Sequence, residues 1–83
     1  MTDTQTIGVF LDSPDWTASE KWVIKWQYRL LGDFGTALAN AIKQADEHNQ
    51  LRLWKGFPVE VDGFRLWCYG DLGTRLRKAG LEI

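Results

Sequence analysis

The chain has 83 residues, 45% of them hydrophobic and 25% charged, with a net charge of −1; this balance describes one soluble globular domain and excludes a disordered or membrane-embedded chain. A net charge so close to zero gives no global attraction to nucleic acid, so any such binding has to come from a local patch. The lone cysteine, Cys68, excludes an internal disulfide and fits a reducing compartment.

Residues 1–16 contain Asp3, Asp12 and Asp15 and no basic side chain. They lack the basic lead and long apolar core of a signal peptide, and nowhere does an apolar run approach the ~18 residues that a membrane span needs. The expected location is the cytoplasm. Ile7, Val9 and Leu11 alternate in "TIGVFL", a period of two that predicts an extended N-terminal arm over residues 1–16. Residues 17–83 are then the domain proper. Thr17 with Glu20 three residues on makes a capping box, so a helix is expected to begin near Ala18.

Val23, Trp26, Leu30, Phe34, Ala37, Ala41 and Ala45 follow at spacings of 3, 4, 4, 3, 4 and 4, which keeps them on one helical stripe. Leu31, Phe34, Leu38 and Ile42 form a second stripe beside it. Gly32 and Asp33 could end one helix and cap the next. The unbroken phase favours one kinked helix of about 30 residues, or two nearly in line. "HNQ" at 48–50 loosens this helix, and "LRLWKG" adds a short amphipathic turn ending at Gly56.

Residues 57–69 admit two readings. Asp62-Gly63 between "VEV" and "FRLW" suits a β-hairpin over residues 59–67. Pro58 in a first helical turn, with Phe57, Val61, Phe64 and Cys68 at helical spacing, suits a helix interrupted only by Gly63. The helix is the preferred reading. A short last helix follows: Asp71 starts it, Arg75, Arg77 and Lys78 sit at its negative end, and Gly80 stops it so that Leu81 and Ile83 dock on the core. The predicted fold is a mostly α, small helical bundle, with an α+β arrangement carrying the 59–67 hairpin as the alternative.

The stretch from Trp22 to Ile83 resembles a group of small uncharacterised proteins encoded by bacteriophages, prophages and other mobile elements. The likeness is carried by Gly32-Asp33-Phe34, Ala45-Asp46 and Gly56-Phe57-Pro58. It implies a mobile-element origin, and hence a bacterial host cell, without implying a reaction. In those proteins the stretch after the Gly-Phe-Pro corner is helical, with Glu and Ala where this chain has Val59 and Gly63.

No catalytic constellation is present. His48 is the only histidine, and neither it nor Cys68 has a partner at metal-ligand spacing. Asp46, Glu47 and His48 are consecutive, so on a helix they diverge by about 100° each; a solvated helix end is the expected reading. Cys68 between Trp67 and Tyr69 is expected to be a buried packing residue. Asp33-Phe34-Gly35 spells a kinase signature in a chain far too short for a kinase. The chain is therefore read as no enzyme, with no cofactor and no metal.

What remains is surface. Lys21, Lys25 and Arg29 recur at i, i+4 and i+8 and form a basic ridge beside Trp22 and Trp26, the mix that binds single-stranded nucleic acid by phosphate contact and stacking. The plainer reading, a solvated helix face whose tryptophans belong to the core, is preferred. Five tryptophans, two tyrosines and four phenylalanines are many for so small a body, and aromatics left outside a core anchor protein interfaces. The expected function is a non-enzymatic phage or prophage accessory protein that binds a host or phage protein, for instance as an inhibitor of host defence such as an anti-CRISPR. Lys21, Trp22, Lys25, Trp26 and Arg29 are its first candidate contacts. A homodimer is also expected, because a two-fold contact adds core to a marginal domain; nucleic acid is the alternative partner, and a membrane is not expected.

Overall fold

The computed structural model describes residues 3–83, which fold into six helices and no strand. These are α1 (Thr4–Asp12), α2 (Ala18–Gln27), α3 (Gly32–Gln44), α4 (Glu47–Gly56), α5 (Pro58–Tyr69) and α6 (Leu72–Lys78). The chain is mostly α, as its periodicity predicts. Helix α5 is central and touches α2, α3, α4 and α6, while α1 lies on α2.

The N-terminal segment corrects the first expectation. Asp3 accepts the Thr6 N–H at 2.7 Å, and this cap starts a helix where alternation suggested an extended arm. Ile7, Phe10 and Leu11 face the core at i, i+3 and i+4, whereas Val9 stays 65% exposed. Three apolar residues fit either period, and the cap decides between them. Residues 1 and 2 of the expected arm lie outside the described residues.

The capping box at the start of α2 is present: Thr17 Oγ1 accepts the Glu20 N–H at 3.2 Å, and Glu20 Oε1 accepts the Thr17 N–H at 2.8 Å. The long helix expected after it is not. The Leu30 N–H returns to the Lys25 carbonyl at 2.7 Å and the Arg29 N–H to that of Trp26 at 3.2 Å, the paired bonds of a Schellman ending. Arg29 occupies its left-handed position at φ 59°, where glycine is the usual residue. A second break falls at Ala45, and Asp46 caps α4 by accepting the Asn49 N–H at 2.8 Å. "DEH" thus opens a helix instead of closing one.

These breaks settle which stripe is the core. Leu38 and Ile42, from the second stripe, are buried together with Ala39, while Leu30, Phe34, Ala37 and Ala41 of the first are exposed. Residues 57–69 are the preferred helix, with Pro58 in its first turn. Val61 and Phe64 are buried, and Cys68, expected inside, is exposed. Gly63 is no flaw in this helix. A Cβ there would stand 2.7 Å from the Ser19 carbonyl oxygen and 3.0 Å from the Trp22 ring, so its absence lets the α5 backbone lie directly against the α2 backbone and Trp22. At the far end Gly80 takes φ 115° and the Leu81 N–H bonds the Leu76 carbonyl at 3.1 Å, which delivers a buried Leu81 to the core.

Among the described residues two polar side chains are buried, and both tie helices together. Glu20 Oε2 accepts from Arg75 at 2.7 Å, linking α2 to α6. Gln50 donates to the Ile42 carbonyl at 3.1 Å and accepts from Arg65 at 3.1 Å, linking α3, α4 and α5. Such groups are tolerated inside only when their hydrogen bonds are made, and here they are.

Candidate binding surface

The ridge predicted on α2 does not form as one surface. Lys21 is half-buried and Lys25 exposed on the helix, but Arg29 lies beyond its end in the left-handed turn. Trp22 is only 8% exposed, and Trp26 is held between Trp22 and Phe64 with ring centroids 5.6 and 5.7 Å away. The two tryptophans face the core because Val23 and Ile24 beside them are fully buried and α5 closes over that side. They are packing residues, so no stacking platform accompanies the lysines.

A different group of residues comes together between α4 and α5. The chain turns at Gly56 and Phe57, and residues descending α4 face residues ascending α5: Trp54 Nε1 donates to Asp62 Oδ1 at 2.9 Å, and one turn further Gln50 meets Arg65. Between the helices lies a cleft of about 580 Å³. From α4 it is lined by Glu47, His48, Gln50, Leu51 and Trp54, and from α5 by Val61, Asp62 and Arg65. Leu51 is 56% and Trp54 43% exposed. The Arg65 guanidinium sits 5.3 Å from the centre of the exposed Tyr69 ring, a cation–π contact. Glu47, Asp62 and Arg65 have no ion-pair partner among the described residues.

In sequence this site had one faint signal. Glu47, Leu51 and Trp54 stand at i, i+4 and i+7, and an exposed tryptophan on a polar helix is a residue looking for a cover. That signal was masked because the same spacing also describes a core face; only the docking of α5 against Gln50 shows which side of α4 is wet.

A second apolar face lies on α3. Leu30 and Phe34 are exposed, and the Phe34 ring touches that of Phe57 at 6.1 Å. Ala41, Ala45 and Leu53 floor a shallow groove beside them. The groove carries one charged side chain, Arg52, with Gln44 and Asn49. Cys68 is surface-exposed, yet desolvation by its neighbours pushes the thiol up and Lys43 offsets this only in part, so it is not an activated nucleophile. Among the described residues no three His, Cys, Asp or Glu side chains converge as metal ligands, and no helix is long and apolar enough to cross a membrane. Comparison of the chain with protein-family models, curated proteins and solved structures gives no match. The reading of the surface therefore stands on its geometry.

Proposed function

We propose that this chain acts by binding another protein, and that the α4–α5 cleft is where it does so. One observation carries the reading: an exposed indole and an exposed leucine sit beside three charged side chains that have no ion-pair partner among the described residues. Trp and Arg are residue types that anchor protein interfaces, and Trp54 and Arg65 line the same cleft, with Tyr69 packed on Arg65 at its edge. The resemblance to small phage and prophage proteins supports an accessory role in a mobile element, without enzymatic chemistry; inhibition of a host defence system is one form we propose for such binding.

The nucleic-acid reading loses its aromatic half, because Trp22 and Trp26 are committed to the core. The two readings separate in a capture experiment from host lysate. The Leu51→Ala/Trp54→Ala variant is expected to retain its fold and to lose its partner by roughly 30-fold in affinity, the cost of truncating an anchoring tryptophan. The Lys21→Glu/Lys25→Glu/Arg29→Glu variant is expected to capture the same partner. Loss in the second variant and retention in the first would return the function to the α2 surface.

A further inference from the structure

Resting on the reading of the α4–α5 cleft as the docking site, we infer that its occupant is a basic amphipathic helix of the partner protein. The argument starts from charge. Two carboxylates line the cleft, Glu47 from α4 and Asp62 from α5, against one guanidinium, Arg65 of α5. Arg65 is already engaged by Gln50 Oε1 and the Tyr69 ring. The two carboxylates are the groups left for a ligand, and Asp62 keeps one oxygen beyond the one that Trp54 uses. Glu47 lies in the first turn of α4.

Spacing gives the shape of the occupant. Asp62 sits at the level of Trp54, and Glu47 is seven residues earlier on α4, which is about 10 Å along the axis at 1.5 Å per residue. No single lysine or arginine reaches both. Two basic side chains two helical turns apart do, and the residue between them falls on Leu51. Their aliphatic stems lie along Trp54 and Leu51 while their heads meet the carboxylates, the usual division of a long basic side chain. Two helices joined by a tight corner leave a groove that a third helix fills, a recurring mode of peptide recognition.

The test uses the full chain and a defined probe: a capped alanine-based helical peptide with lysines at i and i+7 and leucine at i+4. Amide and indole N–H resonances are followed by two-dimensional NMR during titration. The lysine peptide is expected to shift the Trp54 indole signal and the amides of residues 47–54 and 61–65, and the same peptide with glutamates for lysines is expected to leave them in place. In the Glu47→Gln/Asp62→Asn variant, which keeps an oxygen for the Trp54 indole, binding of the lysine peptide should weaken about tenfold. Equal shifts with the glutamate peptide, no shift with the lysine peptide, or an undiminished response in the double variant would overturn the inference. So would equal shifts from free spermidine, which would make the cleft a polycation site. If the Leu51→Ala/Trp54→Ala variant loses its partner while the lysine peptide fails to bind, the docking site stands and only the basic occupant falls. If partner capture survives that variant, both fall.

Discussion

Gly63→Ala is expected to lower the midpoint of thermal unfolding by roughly 10 °C or more, corresponding to a loss of about 2 kcal/mol in a domain of this size. The added methyl would meet the Ser19 carbonyl oxygen at 2.7 Å, Trp22 at 3.0 Å and Val23 at 3.2 Å. The first of these is backbone and cannot rotate away, so α2 and α5 have to separate along the largest helix contact of the fold. Interiors packed at crystal density transmit such a shift to every neighbour. The sign is the informative part. In a helix free of such contacts the same exchange stabilises by about 0.5–1 kcal/mol through backbone entropy and propensity. Gly8 in α1 is that control, since a Cβ there meets nothing within 4 Å. Circular dichroism melts should show Gly8→Ala at or above the parent and Gly63→Ala well below it; a Gly63→Ala midpoint equal to the parent would mean that α2 and α5 are not packed this closely.

Glu20→Ala is expected to cost about 2–3 kcal/mol, because one buried carboxylate closes the capping box of α2 and receives Arg75 from α6. The Coulomb share is small, as the Arg75 side chain is 40% exposed and water screens it. Most of the loss comes from the Thr17 N–H, left without its acceptor, and from removing the polar tie between α2 and α6, since the other partner of Arg75, Asp71 at 3.1 Å, belongs to the start of α6 itself. Asp71 starts α6 without a side-chain cap bond of its own. The same carboxylate makes stability depend on acid. Burial pushes the Glu20 carboxyl up, but the Thr17 N–H and the Arg75 guanidinium outweigh it and hold the group below the ordinary glutamate range. A group whose folded pKa is depressed contributes stability that is complete above its unfolded value, about 4.3, and is lost as pH falls through the folded value. Asp3, lowered by the Thr6 N–H, adds a slope of the same sign. The difference between parent and Glu20→Gln therefore isolates Glu20: their stabilities should converge as pH drops below about 4. Parallel curves throughout that window would show that Glu20 is not held ionised by these partners.

Those two residues also show what was legible in the chain and what was not. Thr17 and Glu20 are read directly, since a capping box is a contact between near neighbours and owes nothing to the rest of the fold. The same holds for Pro58 at a helix start and Gly80 at a helix end. The reversal after α2 was hidden because Arg29 fills a left-handed position that glycine normally marks, while the apolar phase runs on undisturbed through Leu30 and Phe34. Phase reports that a helix has an apolar stripe; it does not report which of two overlapping stripes finds a partner. Gly63 was visible only as a weak spot, for its purpose is a contact with Ser19 across the helix interface. The candidate site fared worst for the same reason. Trp22 and Trp26 gathered attention by standing beside lysines and turned out to be core, whereas Leu51 and Trp54 are left outside by the way α5 docks on Gln50.

The α4–α5 cleft is the central claim, and site-directed photo-crosslinking tests it most directly. A benzophenone side chain placed at Leu51, and separately at Leu30 on the α3 face, is irradiated in host cells expressing the full chain. Crosslinking of one discrete protein from position 51, abolished by Trp54→Ala and absent from position 30, is the predicted result. A discrete partner captured from position 30 and none from position 51 would contradict the account and move the interface to the apolar face of Leu30 and Phe34.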